Sequence, residues 1–492
     1  MDFRSVASYV GTLLEILGIL ILLPVLFSWV YGDGMHTGFF IGAVISFMTG
    51  MALDRRFKKE ELTLSTAMVI AALSFVVVSL IGAIPYLFYM NPMDSWFESV
   101  SGFTTTGLTV VQPEDLPASL LFWRALTQWI GGIGIIIIFL ILVSSPGMSS
   151  YYLYKAEGGA GMIEAGVRGT VKRVLLIYAT YSFMGMFLFS AAGMPVFESI
   201  LNAITGISTG GFTTRNASMA AYGNPAIEAV AVLLMVIGGT SFFVHARLWN
   251  GKLRDYLRNP ETRLFWGLIL AFSILLSMAY LSGTEPLRHG IFQAFAALTT
   301  TGFSNAEVTS GATKVLLVIL MVIGGYAGST AGGIKLIRAG IIGSSLTWMG
   351  KKISLPEEAV VPFKFGKRVI KESDLSIIAL FACIYFIVMG VSSLGLTFLG
   401  YTPLDSFFTV ASAEGTVGLS VVPIADMHPT GKLVLIANML LGRLEIIPFL
   451  VMIYILMNSL LRAGRGISFR SRKVKEFEYK YSHDSQNIRE AS

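Results

Sequence analysis

Long apolar runs separated by short polar or basic loops set the pattern of this chain. A helix that crosses a bilayer needs about 20 apolar residues. Candidate spans are 6–31, 37–53, 63–90, 119–145, 172–193, 226–248, 262–283, 312–350, 373–400 and 431–462. Four shorter apolar stretches, 93–106, 196–209, 287–300 and 404–416, lie between spans and fall short of crossing. Their intermediate length predicts re-entrant helices that enter the membrane and turn back.

Each short stretch ends in the same five-residue motif: Thr105-Thr106-Gly107-Leu108-Thr109, Thr209-Gly210-Gly211-Phe212-Thr213, Thr300-Thr301-Gly302-Phe303-Ser304 and Thr416-Val417-Gly418-Leu419-Ser420. The agreement extends upstream. Thirteen residues before the central glycine stand Asp94, Glu198, His289 and Asp405; nine before it stand Glu98, Asn202, Gln293 and Thr409. Pro92, Pro195, Pro286 and Pro403 open the stretches, and a proline followed by an acid suits a helix N-terminus. Downstream, apolar runs carry Gly131, Gly238, Gly324 and Gly442. This is an internal repeat of span, re-entrant helix, glycine loop and span. The expected fold is an all-α polytopic membrane protein. Two leading helices (1–60) precede four pseudo-fourfold repeats at 61–170, 171–260, 261–372 and 373–463, and a basic tail follows at 464–492.

Composition agrees. Of 492 residues, 54% are hydrophobic and only 13% charged, against about 25% charged in soluble domains; mean hydropathy is +0.70. A soluble nucleic-acid binder and a disulfide-stapled secreted domain are excluded, and the single Cys383 is expected to be a small buried residue. The net charge of +6 is unevenly placed. Stretches 54–60, 146–173, 247–263, 335–371 and 462–489 hold 29 of the 36 Lys and Arg residues. The alternate loops keep little besides Arg124, Arg215, Arg288, Lys314 and Lys432. Basic loops face the cytoplasm, so both termini are expected there and the protein in the cell (inner) membrane.

Four loops in register allow a ring about one axis. Glycine leaves no side chain in the way, so loop carbonyls can replace the hydration shell of a cation. Each short helix aims the negative end of its dipole at the same place. Thr105, Thr209, Thr300 and Thr416 offer further oxygens or brace the loops. Segment 312–350 would reach roughly 58 Å as one helix, far beyond a hydrocarbon core of about 30 Å. Its glycines 324, 325, 328, 332 and 333 suit a break, or alternatively a packing face. Arg443 falls near mid-membrane with Glu445 two residues on, and a charge there marks function or a buried ion pair.

On the four motifs and on Gly324-Gly-Tyr-Ala-Gly-Ser-Thr-Ala-Gly-Gly-Ile-Lys335, the sequence resembles the Trk/Ktr/HKT superfamily of potassium transporters, and most closely the prokaryotic TrkH type. The resemblance covers nearly the whole chain. It implies that Gly107, Gly211, Gly302 and Gly418 line a potassium filter with Thr106, Gly210, Thr301 and Val417 beside them. It further implies a gating loop of Gly324, Gly325, Gly328, Ser329, Thr330, Gly332, Gly333 and Lys335, with Arg443 facing the permeation path. The fourth repeat is looser, reading Glu414-Gly-Thr-Val-Gly where relatives carry hydroxyl-rich runs. Implied partners are a second copy, giving a homodimer, and a cytosolic nucleotide-binding regulatory ring, besides membrane lipid. No P-loop is present, no cofactor is expected, and potassium is the cargo. A sodium- or proton-coupled cation symporter of the same fold is the alternative. A midplane-site transporter would predict inverted repeats, whereas these four run in one sense. An intramembrane enzyme would need convergent nucleophile, acid or metal groups that the sequence lacks.

Overall fold

Two of the four short helices carry side-chain caps written locally. Asn91 and Thr402 cap the first and fourth short helices, accepting the N–H of Asp94 (3.0 Å) and Asp405 (3.3 Å). Proline follows each cap at the first helical position, where its missing N–H costs nothing. The four short helices are Pro92–Phe103, Val196–Ile207, Pro286–Leu298 and Pro403–Glu414. Their C-terminal halves are buried throughout.

The computed structural model describes residues 3–59, 63–144, 167–281, 283–356, 361–366 and 368–464. Among these, seven helices are long and apolar enough to cross a membrane: Phe3–Tyr31, His36–Arg56, Ser65–Phe88, Ala118–Ile137, Gly169–Ala191, Pro260–Ala279 and Glu372–Phe398. The chain is a mostly helical, multi-pass membrane protein; the described loop before Glu372 adds a two-residue ladder of Lys364–Phe365 with Arg368–Val369. Residues up to Phe449 form one unit, and a second begins at Leu450. The tail after 464 and most of the basic stretch 146–173 lie outside the described residues.

Three expected spans are not continuous helices. Segment 312–350 divides into Gly311–Ile323 and Leu336–Ile353, with non-helical backbone between. Segment 226–248, expected as one span, is two helices, Pro225–Gly239 and Phe242–Trp249, bent by 103°. Segment 431–462 likewise breaks between Arg443 and Ile447, where Glu445 and Ile446 take positive φ of 61° and 63°. The first two breaks satisfy one another. The Gly328 carbonyl accepts the Phe242 N–H (3.1 Å), while Gly238 and Gly239 carbonyls accept the N–H groups of Thr330 (3.2 Å) and Tyr326 (3.0 Å). Non-helical backbone persists at membrane depth only when buried with partners, and each break supplies the other's. Cys383 is exposed on its helix, not buried as its type suggested.

Glycines set how closely the spans approach. A Cβ on Gly131, Gly238 or Gly442 would strike the terminal carbonyl of its own repeat's short helix, at Phe103, Ile207 and Glu414 respectively. Gly324 departs from this rule, because the third span has already broken and Gly324 packs on Gly332.

Polar side chains close the seams on the face opposite the basic loops. Arg124 donates to the Thr213 carbonyl (3.3 Å) and Glu114 accepts the Asn216 N–H (2.6 Å), joining repeats one and two. Arg288 with Glu228 (2.7 Å) joins two and three, Lys314 with Asp405 (2.5 Å) joins three and four, and Lys432 with Asp94 (2.6 Å) joins four and one. The Lys314 ammonium holds the Asp405 carboxyl below its ordinary value of 3.8, assisted by the Thr402 hydroxyl and opposed by partial burial. A depressed carboxyl contributes stability that is complete above its unfolded value and lost as pH falls through the folded one. Lys314→Met should therefore lower stability by about 1 kcal/mol near neutral pH and reduce the acid-side decline in Tm. Thermal melts in detergent from about pH 7 to about pH 3 check both effects.

Candidate functional site

The four Thr-x-Gly loops meet in a closed ring. A Cβ added to Gly107 would strike the Gly210 carbonyl oxygen, one on Gly211 that of Thr301, one on Gly302 that of Val417, and one on Gly418 that of Thr106. Each repeat's glycine thus abuts the carbonyl just before the next repeat's glycine, and the circuit closes from fourth to first. All four glycines have positive φ, between 74° and 95°. The preceding threonines do too: Thr105 at 52°, Thr209 at 50°, Thr300 at 53° and Thr416 at 51°. For a β-branched residue this is an outlier that costs about 1–2 kcal/mol. The sequence marked these threonines as oxygen donors and gave no sign of their backbone strain. Its fourfold identity in register was the available signal.

Around the ring, buried polar side chains fix the loops. Glu98 accepts from Arg124 Nε (2.6 Å), from the Thr109 hydroxyl (3.0 Å) and from the Val110 N–H (3.2 Å). Gln293 occupies the same register in repeat three and donates to Ser304 Oγ (2.8 Å) and the Ala306 carbonyl (3.1 Å). Asn202 donates to the Glu198 carbonyl (3.0 Å) and Tyr222 (3.2 Å), while Thr409 Oγ1 is buried without a partner. The sequence aligned these four positions without assigning them a task. It missed Gln128 altogether. From helix Ala118–Ser144 this fully buried amide donates to the Gly210 carbonyl (2.6 Å) and accepts the Phe212 N–H (3.1 Å), so repeat one clamps the loop of repeat two.

The non-helical segment 324–335 packs against the threonine end of the ring and is buried along its length. Thr209 donates to Thr330 Oγ1 (3.1 Å), and Thr300 Oγ1 accepts the Gly332 N–H (2.7 Å). A Cβ on Gly332 would collide with Thr416 Oγ1. Thr105 and Thr416 hydroxyls have no partner. The segment is pinned to its own flanks, with Ile334 and Lys335 N–H donating to Val322 and Ile323 carbonyls (2.9 Å each). Ser329 donates to the Tyr326 carbonyl (2.6 Å), and Lys335, at φ 83°, reaches the Ala331 carbonyl. Gly324, Gly328 and Gly333 hold φ of 72°, 72° and 75°; Gly325 has no room for a Cβ against Ala331.

Arg443 is 3% exposed. Its Nη1 donates to the Thr330 carbonyl (2.7 Å) and its Nη2 to the Gly131 carbonyl (3.0 Å). It makes no ion pair with Glu445, which pairs instead with Arg338 across to helix Leu336–Ile353. The alternative of an Arg443–Glu445 pair fails because positive φ at Glu445 turns the backbone out of the helix.

A ring of four backbone loops framed by membrane spans is the architecture of a membrane transport protein. The comparisons agree. The TrkH profile, described as cation transport protein, matches residues 35–461. Similar sequences include an uncharacterised cation transporter of Methanocaldococcus jannaschii, 33% identical over 464 residues (92% of this chain, 95% of that one). The Trk system potassium uptake protein TrkH of Salmonella typhimurium is 32% identical over 476 residues (92% and 98%). The crystal structure of the potassium transporter TrkH from Vibrio parahaemolyticus superposes with a TM-score of 0.83 at 29% identity, covering 92% of this chain and 98% of that one. The chain belongs to the TrkH family of cation transport proteins.

Gln128→Leu removes both amide bonds at nearly constant volume. At about 1 kcal/mol net for each bond, stability should fall by about 2 kcal/mol and amide exchange at residues 209–213 should quicken. Hydrogen-exchange mass spectrometry on the purified protein measures both.

Proposed function

We propose that this chain carries potassium ions across the cell membrane through the ring of four Thr-x-Gly loops. The observation that carries the reading is the closed circuit of glycine against carbonyl. Side-chain-free glycines bring the carbonyls of Thr106, Gly210, Thr301 and Val417 around one axis, where they substitute for water on a dehydrated cation. The αL threonines turn the chain at the inner end of the ring, and their hydroxyls add oxygens there. Four helix C-termini add their negative dipole ends. The ion's driving force is the membrane potential, about 2.3 kcal/mol per charge at 100 mV. Relatives and a solved neighbour named for potassium support the choice of ion.

Segment 324–335 is the gate. It lies across the exit from the ring, bonded to Thr209 and Thr300. Arg443 latches it through the Thr330 carbonyl and places a permanent positive charge beside the path. Basic loops orient the chain with both termini in the cytoplasm. There they serve a homodimer resting on a cytosolic nucleotide-binding ring, a reading supported by the lack of any nucleotide motif in this chain and by relatives named as members of a Trk system.

Proteoliposomes at clamped potential, with one cation supplied at a time, test the reading. Potassium or rubidium alone should move down the potential. A strict requirement for sodium or a proton gradient would replace the channel reading with symport. Gly107→Ser and Gly302→Ser each push a side chain into a neighbouring carbonyl. Strain of about 1–2 kcal/mol at one ring position corresponds to about tenfold, so the potassium-to-sodium flux ratio should fall by that order. An unchanged ratio in both variants defeats the filter assignment. Arg443→Gln and deletion of 328–333 should each raise flux per folded protein without altering that ratio. Lower thermal stability with no gain in flux would make Arg443 and the segment purely structural.

A further inference from the structure

Away from the ring, helices Phe3–Ile21, Leu64–Gly82 and Ala118–Ser144 enclose a cavity of about 350 Å³ with an almost wholly apolar lining, including Ile16, Ile70, Phe75 and Ile130. That is the size of a small ligand pocket. A Cβ on Gly134 would meet nothing within 4 Å, so the space reaches the helix backbone. Leu13 and Ile16 on its wall are 39% and 50% exposed, which opens it towards the lipid. Water does not suit it, because a buried water needs two to four polar partners. The Thr12 hydroxyl is already engaged with the Ser8 carbonyl and Asp54, and Ser74 offers a single unpartnered hydroxyl.

One end of the cavity is basic. Tyr9 lines it there, with the Lys59 ammonium 5.9 Å above its ring. Exposed Arg55 and Arg56 end helix His36–Arg56 and exposed Lys58 follows it; Asp54 is tied to Lys59 at 3.0 Å. An apolar slot ending at a cationic rim matches one kind of bilayer component. We propose that the cavity holds an acyl chain of an anionic phospholipid from the leaflet next to the basic loops, its headgroup at Lys58 and Lys59. The chain would end against Phe103, the last residue of the first re-entrant helix, and Gly131, whose carbonyl receives Arg443. The lipid thereby braces the first repeat's side of the ring. This goes beyond the transport reading and does not depend on which ion passes.

The test uses the full chain. Thermal stability is measured in phosphatidylglycerol and in phosphatidylcholine of matched acyl chains, and retained phospholipid is read by native mass spectrometry. Wild type should retain phosphatidylglycerol and melt several degrees higher in it. Gly134→Leu grows into open space and should lose both the retained lipid and the rise. Ile16→Trp fills the same slot from the opposite wall and carries the test if the first variant does not fold. Folded variants that keep wild-type lipid retention and the same rise would overturn the site. So would a wild type that retains no phospholipid, or that responds equally to both headgroups.

Discussion

Everything near the axis depends on one steric constraint: four backbones pass so close that no Cβ fits between them. The glycines 107, 211, 302 and 418 each face a neighbour's carbonyl oxygen. Glycine alone takes the required positive φ without a side chain in that space. The same economy recurs one layer out, where Gly131, Gly238 and Gly442 let spans press on the carbonyl ends of the short helices. The strained threonines of the ring loops persist because the surroundings over-determine their conformation.

The broken spans belong to the same design. Breaking a helix within a membrane exposes N–H and C=O groups that lipid cannot satisfy. Here the break at 240–241 and the segment 324–335 exchange hydrogen bonds, and Arg443 takes the Thr330 carbonyl. The segment is therefore both buried and tied to the ring, holding two of its four threonine hydroxyls. Displacing it frees those hydroxyls, so the state of the proposed gate and the chemistry of the inner ring are linked by direct bonds.

Charge is used twice. Most cations lie in the basic loops. Five of those outside them are paired: Arg124 with Glu98, Arg215 with Glu198, Arg288 with Glu228, Lys314 with Asp405 and Lys432 with Asp94. Three of these pairs cross between repeats. They stitch the pseudo-ring at its rim, where partial hydration makes ion pairs tolerable, while the axis itself is left to backbone dipoles.

The sequence by itself determined the repeat, its register and the class of protein. Those features rest on local rules: apolar length, proline and cap at helix starts, glycine where backbones crowd. It also exposed the cations of the rim as leftovers of the charge pattern, without their partners. Only the tertiary structure decided which carbonyl each glycine meets, that Gln128 clamps the loop of another repeat, and that Arg443 serves two carbonyls while Glu445 turns to Arg338. It also broke the spans at 240–241 and 444–446, beside Gly238-Gly239 and between Gly442 and Pro448, residues that membrane helices accommodate without breaking. The reason is physical. A Thr-Ser pair or a Glu-Ile pair is compatible with helix in isolation, and it leaves the helix only because distant backbone supplies the hydrogen bonds, or a distant arginine the counter-charge, that the helix would otherwise provide.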